Sequence, residues 1–233
     1  MTPLERFKSD VDFLFREASS AWTTRAIVEG KLSREELAML TLQMYHYVKY
    51  TVPVFRAALT KVPAGEAHAP LRAMLSFFAR DEDGHDKVAL RDLAALGYDP
   101  AECAATLPLP TTLNLHGANS LALEEYGPYY LVGETYATET VGAQMSGAIH
   151  RALAANEAVR GGISFYDVHG EADVVHAAKA EEILAYALEH PDNRRPALLG
   201  CLTAFRNLGN LAGEIPKARL YPPEFQLPKR TGA

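Results

Sequence analysis

The sequence predicts an all-α protein, a single-domain helical bundle over residues 1–233 with a proline-rich tail from about residue 221. Three observations predict it. Apolar residues recur at spacings of three and four through most of the chain, which is the pattern of helices with one buried face. Alternating β-branched runs joined by hairpin turns are missing, and no internal repeat divides the chain. With 48% apolar and 22% charged residues among 233, the composition supplies one core and carries no sign of disorder.

Leu4, Phe7, Val11, Leu14 and Phe15 place a first amphipathic helix of about four turns at the start. Ser33 followed by Glu36 forms a capping box, and apolar periodicity then runs from Leu37 through Phe55 to Leu59, a second helix expected to kink at Pro53. A third helix is expected from about Ala69 to Leu96, with Pro70 in its first turn and Gly97 as its C-terminal cap. Several prolines and a threonine pair make Asp99 to about Asn119 read as a loop with at most one short helical turn. Further helices are expected over about 129–156, 164–189 and 194–220, separated by Gly161-Gly162 and Pro191-Asp192.

The formal charge of -6 is spread along the chain and leaves no basic footprint, so no nucleic-acid partner is expected. No stretch approaches the roughly 20 apolar residues that span a bilayer, and Met1 to Arg16 mixes charges with apolar residues, unlike a signal peptide. The expectation is a cytoplasmic protein without a membrane partner. Cys103 and Cys201 have neither metal-type spacing nor the density of a disulfide scaffold, and read as packing residues.

On the third helix Leu71, Leu75, Phe78, Glu82, His85, Ala89, Leu93 and Leu96 form one stripe, which puts Glu82 and His85 in the core. A buried carboxylate requires an ion pair, hydrogen bonds or a metal. The competing reading makes Asp81 to Lys87 a solvated run of charge. Further along, His169, Asp173 and His176 fall within about 60° of helical arc and form a single face. Two imidazoles and a carboxylate suit iron, manganese or zinc, and no cysteine stands nearby to make a thiolate zinc site. Between these segments Glu134 and Glu139 lie on different faces of one helix, and periodicity does not choose between them. Three carboxylates and three imidazoles from three helices suit a pair of irons with open positions for oxygen.

With Glu82-x-x-His85 on the third helix, Glu139 about thirty residues before the last cluster, and His169-x-x-x-Asp173-x-x-His176, the chain resembles the heme-oxygenase-like diiron oxidases and oxygenases, relatives of thiaminase II and pyrroloquinoline quinone synthase. The resemblance covers most of the chain and favours Glu139 over Glu134. It implies a bundle of about seven helices, a homodimer, two iron ions held by Glu82, His85, Glu139, His169, Asp173 and His176, and dioxygen as co-substrate. Leu75 and Phe78 stand where some relatives carry an additional glutamate, which excludes an extra carboxylate from that position. The placement of the two cysteines argues against covalent thiamine hydrolysis.

Gln43, His46, Tyr47 and Tyr50 resemble pocket-lining positions of the superfamily, so Gln43, His46 and Tyr50 are candidates for substrate binding; an ordinary core role is the competing reading of His46. Lys179 and Arg206 are candidates for meeting a substrate carboxylate, although long basic side chains commonly face water. The function implied is an oxygen-activating diiron oxidase or oxygenase that desaturates, cleaves or oxidises a small carboxylate-bearing substrate such as an amino acid, with an external electron donor. Two readings compete: a metal-independent enzyme using the histidines and acids for proton transfer, and a non-enzymatic metal-binding protein.

Overall fold

The structure, a computed structural model, describes residues 1–231 apart from 21–23, 27, 28, 30 and 160, and leaves the side chains of 145–149, 158, 170, 171 and 173 undescribed. The described residues form α-helices and short 3-10 turns, with no strand. The α-helices are α1 (Pro3–Ser19), α2 (Arg34–Val48), α3 (Thr51–Lys61), α4 (Ala69–Asp81), α5 (His85–Ala95), α6 (Pro100–Ala105), α7 (Pro110–Tyr126), α8 (Tyr129–Ala154), α9 (Ser164–Ala187) and α10 (Pro191–Glu214). None is long and apolar enough to cross a membrane.

Caps visible in the sequence set several boundaries. Ser33 and Glu36 bond reciprocally at the start of α2, the Glu36 amide to the Ser33 hydroxyl at 3.2 Å and the Ser33 amide to the Glu36 carboxylate at 2.9 Å. Gly97, at φ +93, ends the segment after α5.

Four expectations need correction. The second helix is not one kinked rod: it breaks at Lys49–Tyr50, and Pro53 falls in the first turn of α3, where a missing amide costs little. The third is not continuous either. Gly84 sits in left-handed backbone at φ +98, so Glu82 caps α4 while His85 begins α5. The expected loop over 99–119 is mostly helix, because Pro100 and Pro110 each stand at a helix start, with the Asp99 carboxylate accepting from the amides of Ala101 and Glu102. The last helix also stops early, at Glu214, and continues as a 3-10 turn over Ile215–Leu220.

Packing divides the interior into two apolar clusters. Phe7, Val11, Leu71, Leu75, Phe78, Tyr130, Ala180, Leu184 and Phe205 belong to the first. Leu37, Leu42, Ala89, Leu93, Leu96, Leu109, Leu153, Phe165 and Leu211 belong to the second. The break at Gly84 sends α4 into the first cluster and α5 into the second. At 26 and 24 residues, α8 and α9 are each about 36–39 Å long at 1.5 Å per residue, so both run from one cluster to the other. The last residues fold back over the second cluster: Tyr221, Phe225 and Leu227 pack on it, and the Thr231 amide bonds the Gly97 carbonyl at 2.9 Å.

Helices α8 and α10 approach closely through reciprocal glycines. A Cβ on Gly133 would overlap the Ala197 carbonyl, and one on Gly200 would overlap the Tyr130 carbonyl. Both obstacles are backbone, so the helices themselves would have to part. We expect Gly200→Ala to cost about 2–3 kcal/mol by overpacking, lowering the thermal midpoint by roughly 5 °C or more for a chain of this size. Gly213→Ala, whose Cβ would meet open space, is the control and should melt like the wild type or slightly higher.

Candidate metal centre

A group of buried polar residues lies where α4–α5, α8 and α9 each pass between the two clusters. Glu82 and His85 fall between Phe78 and Ala89, Glu139 between Ala137 and Leu153, and His169 and His176 between Phe165 and Ala180. Glu82 is 8% exposed, the His176 side chain 2% and the Glu139 side chain 13%, so water does little to screen this seam.

Five of the six residues named from the sequence come together there, in two groups. Glu82, His85 and His169 can present ligand atoms within 4.8 Å of one another, and so can Glu82, Glu139 and His176. Glu82 is common to both: its Oε2 accepts from His85 Nδ1 at 2.7 Å while its Oε1 lies 3.8 Å from His176 Nδ1. Asp173 stands on α9 between the two histidines in sequence, and its side chain lies outside the described residues.

Hydrogen bonds outside the groups fix the rings. His169 Nδ1 donates to the Phe165 carbonyl at 2.6 Å, which leaves Nε2 as its lone-pair nitrogen. Phe165 is itself anchored, since its amide donates to the buried Asp92 carboxylate at 2.7 Å and its ring lies 4.2 Å from the His169 ring. His176 Nε2 donates to Asp81 at 2.6 Å, which turns Nδ1 toward Glu82 and Glu139. Phe77 and Phe78 meet the His176 ring edge-on at 5.6 and 5.3 Å and keep that side dry. A carboxylate or carbonyl behind each imidazole is the usual support of a histidine ligand.

The titration of these groups follows from their neighbours. Burial alone disfavours charge on His176, but Glu139, Asp81 and Glu82 outweigh it and raise its pKa to about 9. His85 is raised too, burial being overcome by Glu82 and Asp81, whereas burial holds His169 below its ordinary value. Burial pushes the Glu139 carboxyl up, partly offset by His176.

A metal ion fits these residues on one structural observation in particular. The Nδ1 of His176 is buried without an aligned hydrogen-bond partner, although Glu139 Oε2 lies 3.3 Å away. With Glu82 and Glu139 beside that atom and His85 and His169 in the adjoining group, three imidazoles and two carboxylates form a donor set suited to a first-row divalent ion.

Glu134, the alternative to Glu139, is the more buried of the two at 3% exposure, and its Oε1 accepts from Tyr47 at 2.5 Å and Asn119 at 3.1 Å. It belongs to neither group of ligand atoms. Of the pocket candidates, Tyr50 lines a narrow cleft that ends at Glu134. Gln43 and His46 are fully buried and serve the α6–α7 connection. Gln43 Oε1 accepts from the Leu109 amide and the Thr112 hydroxyl, and His46 Nε2 donates to Thr106. Lys179 lies over the Phe77 ring, 4.9 Å from its centroid, and Arg206 pairs with Glu17. Asp81 is half-exposed and lies off the buried stripe; no periodicity marks it, and only the contact with His176 reveals it.

The match to known families is in keeping with this geometry. Residues 39–209 match the family described as iron-containing redox enzyme. No curated protein matches the chain in sequence. Among solved structures, a Shewanella denitrificans domain of unknown function with a heme oxygenase-like fold superposes with TM-score 0.79 at 18% identity, covering 93% of each chain. A TenA homologue from Pseudomonas syringae gives TM-score 0.77 at 13% identity, covering 91% of this chain and 92% of its own, and one from P. horikoshii gives 0.72 at 13%, covering 92% and 98%. At such identities the likeness shows the fold alone. The chain therefore has the heme-oxygenase-like fold and belongs to the iron-containing redox enzyme family.

Proposed function

We propose that the seam between the two clusters holds two irons and that the protein is an oxygen-activating oxidase or oxygenase of a small carboxylate-bearing substrate. The observation that carries this reading is the pair of ligand groups sharing Glu82, since a carboxylate is the side chain whose two oxygens can serve two cations at once. Family membership supports iron as the metal. Glu82, His85 and His169 would hold one ion; Glu82, Glu139 and His176 the other, with Asp173 the sixth candidate. When bound, iron supplies the electrons that let dioxygen react with a closed-shell organic molecule.

The chain's own residues orient and protect. The Phe165 carbonyl keeps the His169 proton on Nδ1, so that ring turns a lone pair inward, and Asp81 holds the Nε2 proton of His176, so that Nδ1 is the nitrogen that would give up its proton to an ion. Phe77 and Phe78 exclude water along one side of the seam.

A second reading has one observation in its favour: Glu82 is already satisfied by a direct bond to His85 without any ion. In that reading the histidines and acids move protons on the substrate and no metal is needed. Iron content separates the two. Anaerobic reconstitution with ferrous iron should load two irons per wild-type chain, measured colorimetrically after desalting. Glu82→Ala, which takes an oxygen from both groups, should lose more iron than His85→Ala, which touches one. Full loading of both variants, or no loading of any chain, would give the proton-transfer reading first place.

Asp81→Asn should leave the fold's melting behaviour nearly unchanged, because Asp81 is half-exposed, yet weaken iron binding by roughly 10–100-fold through loss of the support behind His176. Competition against a chelator of known affinity reads that ratio; wild-type affinity in the variant would remove Asp81 from the site.

A further inference from the structure

The cleft beside the seam carries polar groups that the iron reading leaves idle. It is walled by Tyr47, Tyr50, Val54, Phe55 and Leu131 and ends at His116, Asn119 and Glu134. Its water-accessible volume is about 10 Å³, room for a single water-sized group.

Three of the residues that line it carry an acceptor without a donor. Both hydrogen bonds to the Glu134 carboxylate go to Oε1, from Tyr47 and Asn119, so Oε2 carries none. Because Asn119 donates its amide nitrogen to Glu134, its amide oxygen points elsewhere, and that oxygen is buried without a partner on a side chain only 5% exposed. His116 Nδ1 is likewise buried without a partner, its ring stacked on Tyr50 at 3.9 Å. Burial, with Lys49 nearby, holds His116 below its ordinary pKa, which keeps a lone pair on the ring. Buried acceptors without donors are costly.

We propose that this cleft is the subsite for the primary ammonium head of an amine substrate, aminocarboxylic acids included. An –NH3⁺ group is close to water in size, brings three donors to three acceptors, and carries the charge that a buried Glu134 lacks a partner for. The aromatic lining suits the cation itself, and the chain behind it would extend outward from the water-sized space. At the rim Lys49 lies over the Tyr50 ring, 5.2 Å from its centroid, and bonds His46 Nδ1 at 3.0 Å, with no carboxylate partner among the described residues. It is the cation placed to meet an acid group at the far end of such a substrate, a role for which Lys179 and Arg206 lie elsewhere.

This inference deepens the oxidase reading by naming the substrate's head group, and it does not need iron to be tested. Isothermal titration of the full chain with n-butylamine, with n-butanol as the uncharged control, should show saturable binding of the amine alone. Glu134→Gln should weaken it at least tenfold. Asn119→Leu, an apolar replacement of similar size, should weaken it several-fold and guards against a folding defect in the first variant. 5-Aminopentanoate should bind more tightly than butylamine in the wild type and lose that advantage in Lys49→Ala. Absence of amine binding, equal binding of butanol, or unchanged affinity in folded Glu134→Gln would overturn the proposal, as would loss of iron from that variant, which would make Glu134 a metal ligand. Amine binding that depends on Glu134 in a chain that takes no iron would uphold the subsite while removing the oxidase reading.

Discussion

The arrangement rests on one buried carboxylate, Glu82, held between imidazoles from two directions. Its Oε2 meets His85 and its Oε1 faces His176, so two different helices turn their histidines toward one side chain. Such a group is costly to bury, by several kcal/mol unless it is met by opposite charge or donors. The fold meets that demand by bringing α5 and α9 to the same point. Gly84 makes it possible: left-handed backbone immediately after Glu82 frees α5 from the direction of α4. The same turn divides the apolar interior, because α4 and α5 then feed different clusters. Site and core are thus two consequences of one helix break.

Much of this was legible in the sequence, and the remainder was not for identifiable reasons. The stripe from Leu71 to Leu96 located Glu82 and His85 correctly in the interior, because burial periodicity survives a break that preserves the buried face. The break itself was invisible, since glycine inside a helical pattern is tolerated often enough to be discounted. Pro100 and Pro110 misled in the opposite direction. Proline marks a helix start as readily as a loop, and only Asp99, an N-cap residue directly before Pro100, hinted at which. The spacing of His169 and His176 placed both on one face of α9, and both do face the seam. Their supports could not be read, because a carbonyl four residues back and an acid from another helix leave no pattern in composition.

Glu134 and Glu139 show where periodicity ends. They lie five residues apart on α8, on different faces, and both are sequestered from water. What distinguishes them is their partners: Tyr47 and Asn119 for Glu134, His176 for Glu139. Those partners lie on other helices, α2, α7 and α9, so only tertiary structure places one glutamate at the seam and the other at the cleft. Family resemblance picked Glu139 for the ligand set, and the geometry gives Glu134 different work.

Polar demand is also uneven within the seam, and that bears on where an ion would gain most. Glu82 and His85 already satisfy each other by a direct bond through His85 Nδ1, which leaves Nε2 as the ring nitrogen that a cation entering their group would meet. Glu139 and His176 meet only by proximity: His176 Nδ1 is buried with no aligned bond while Asp81 secures the opposite nitrogen. An ion there would displace no aligned hydrogen bond, but it would have to take the place of the proton that Glu139, Asp81 and Glu82 favour on His176. A half-satisfied polar group in a low-dielectric interior is the arrangement in which a single added charge is worth most. The group of Glu82, Glu139 and His176 would therefore exchange a proton for an ion, whereas the group of Glu82, His85 and His169 keeps a direct bond of its own.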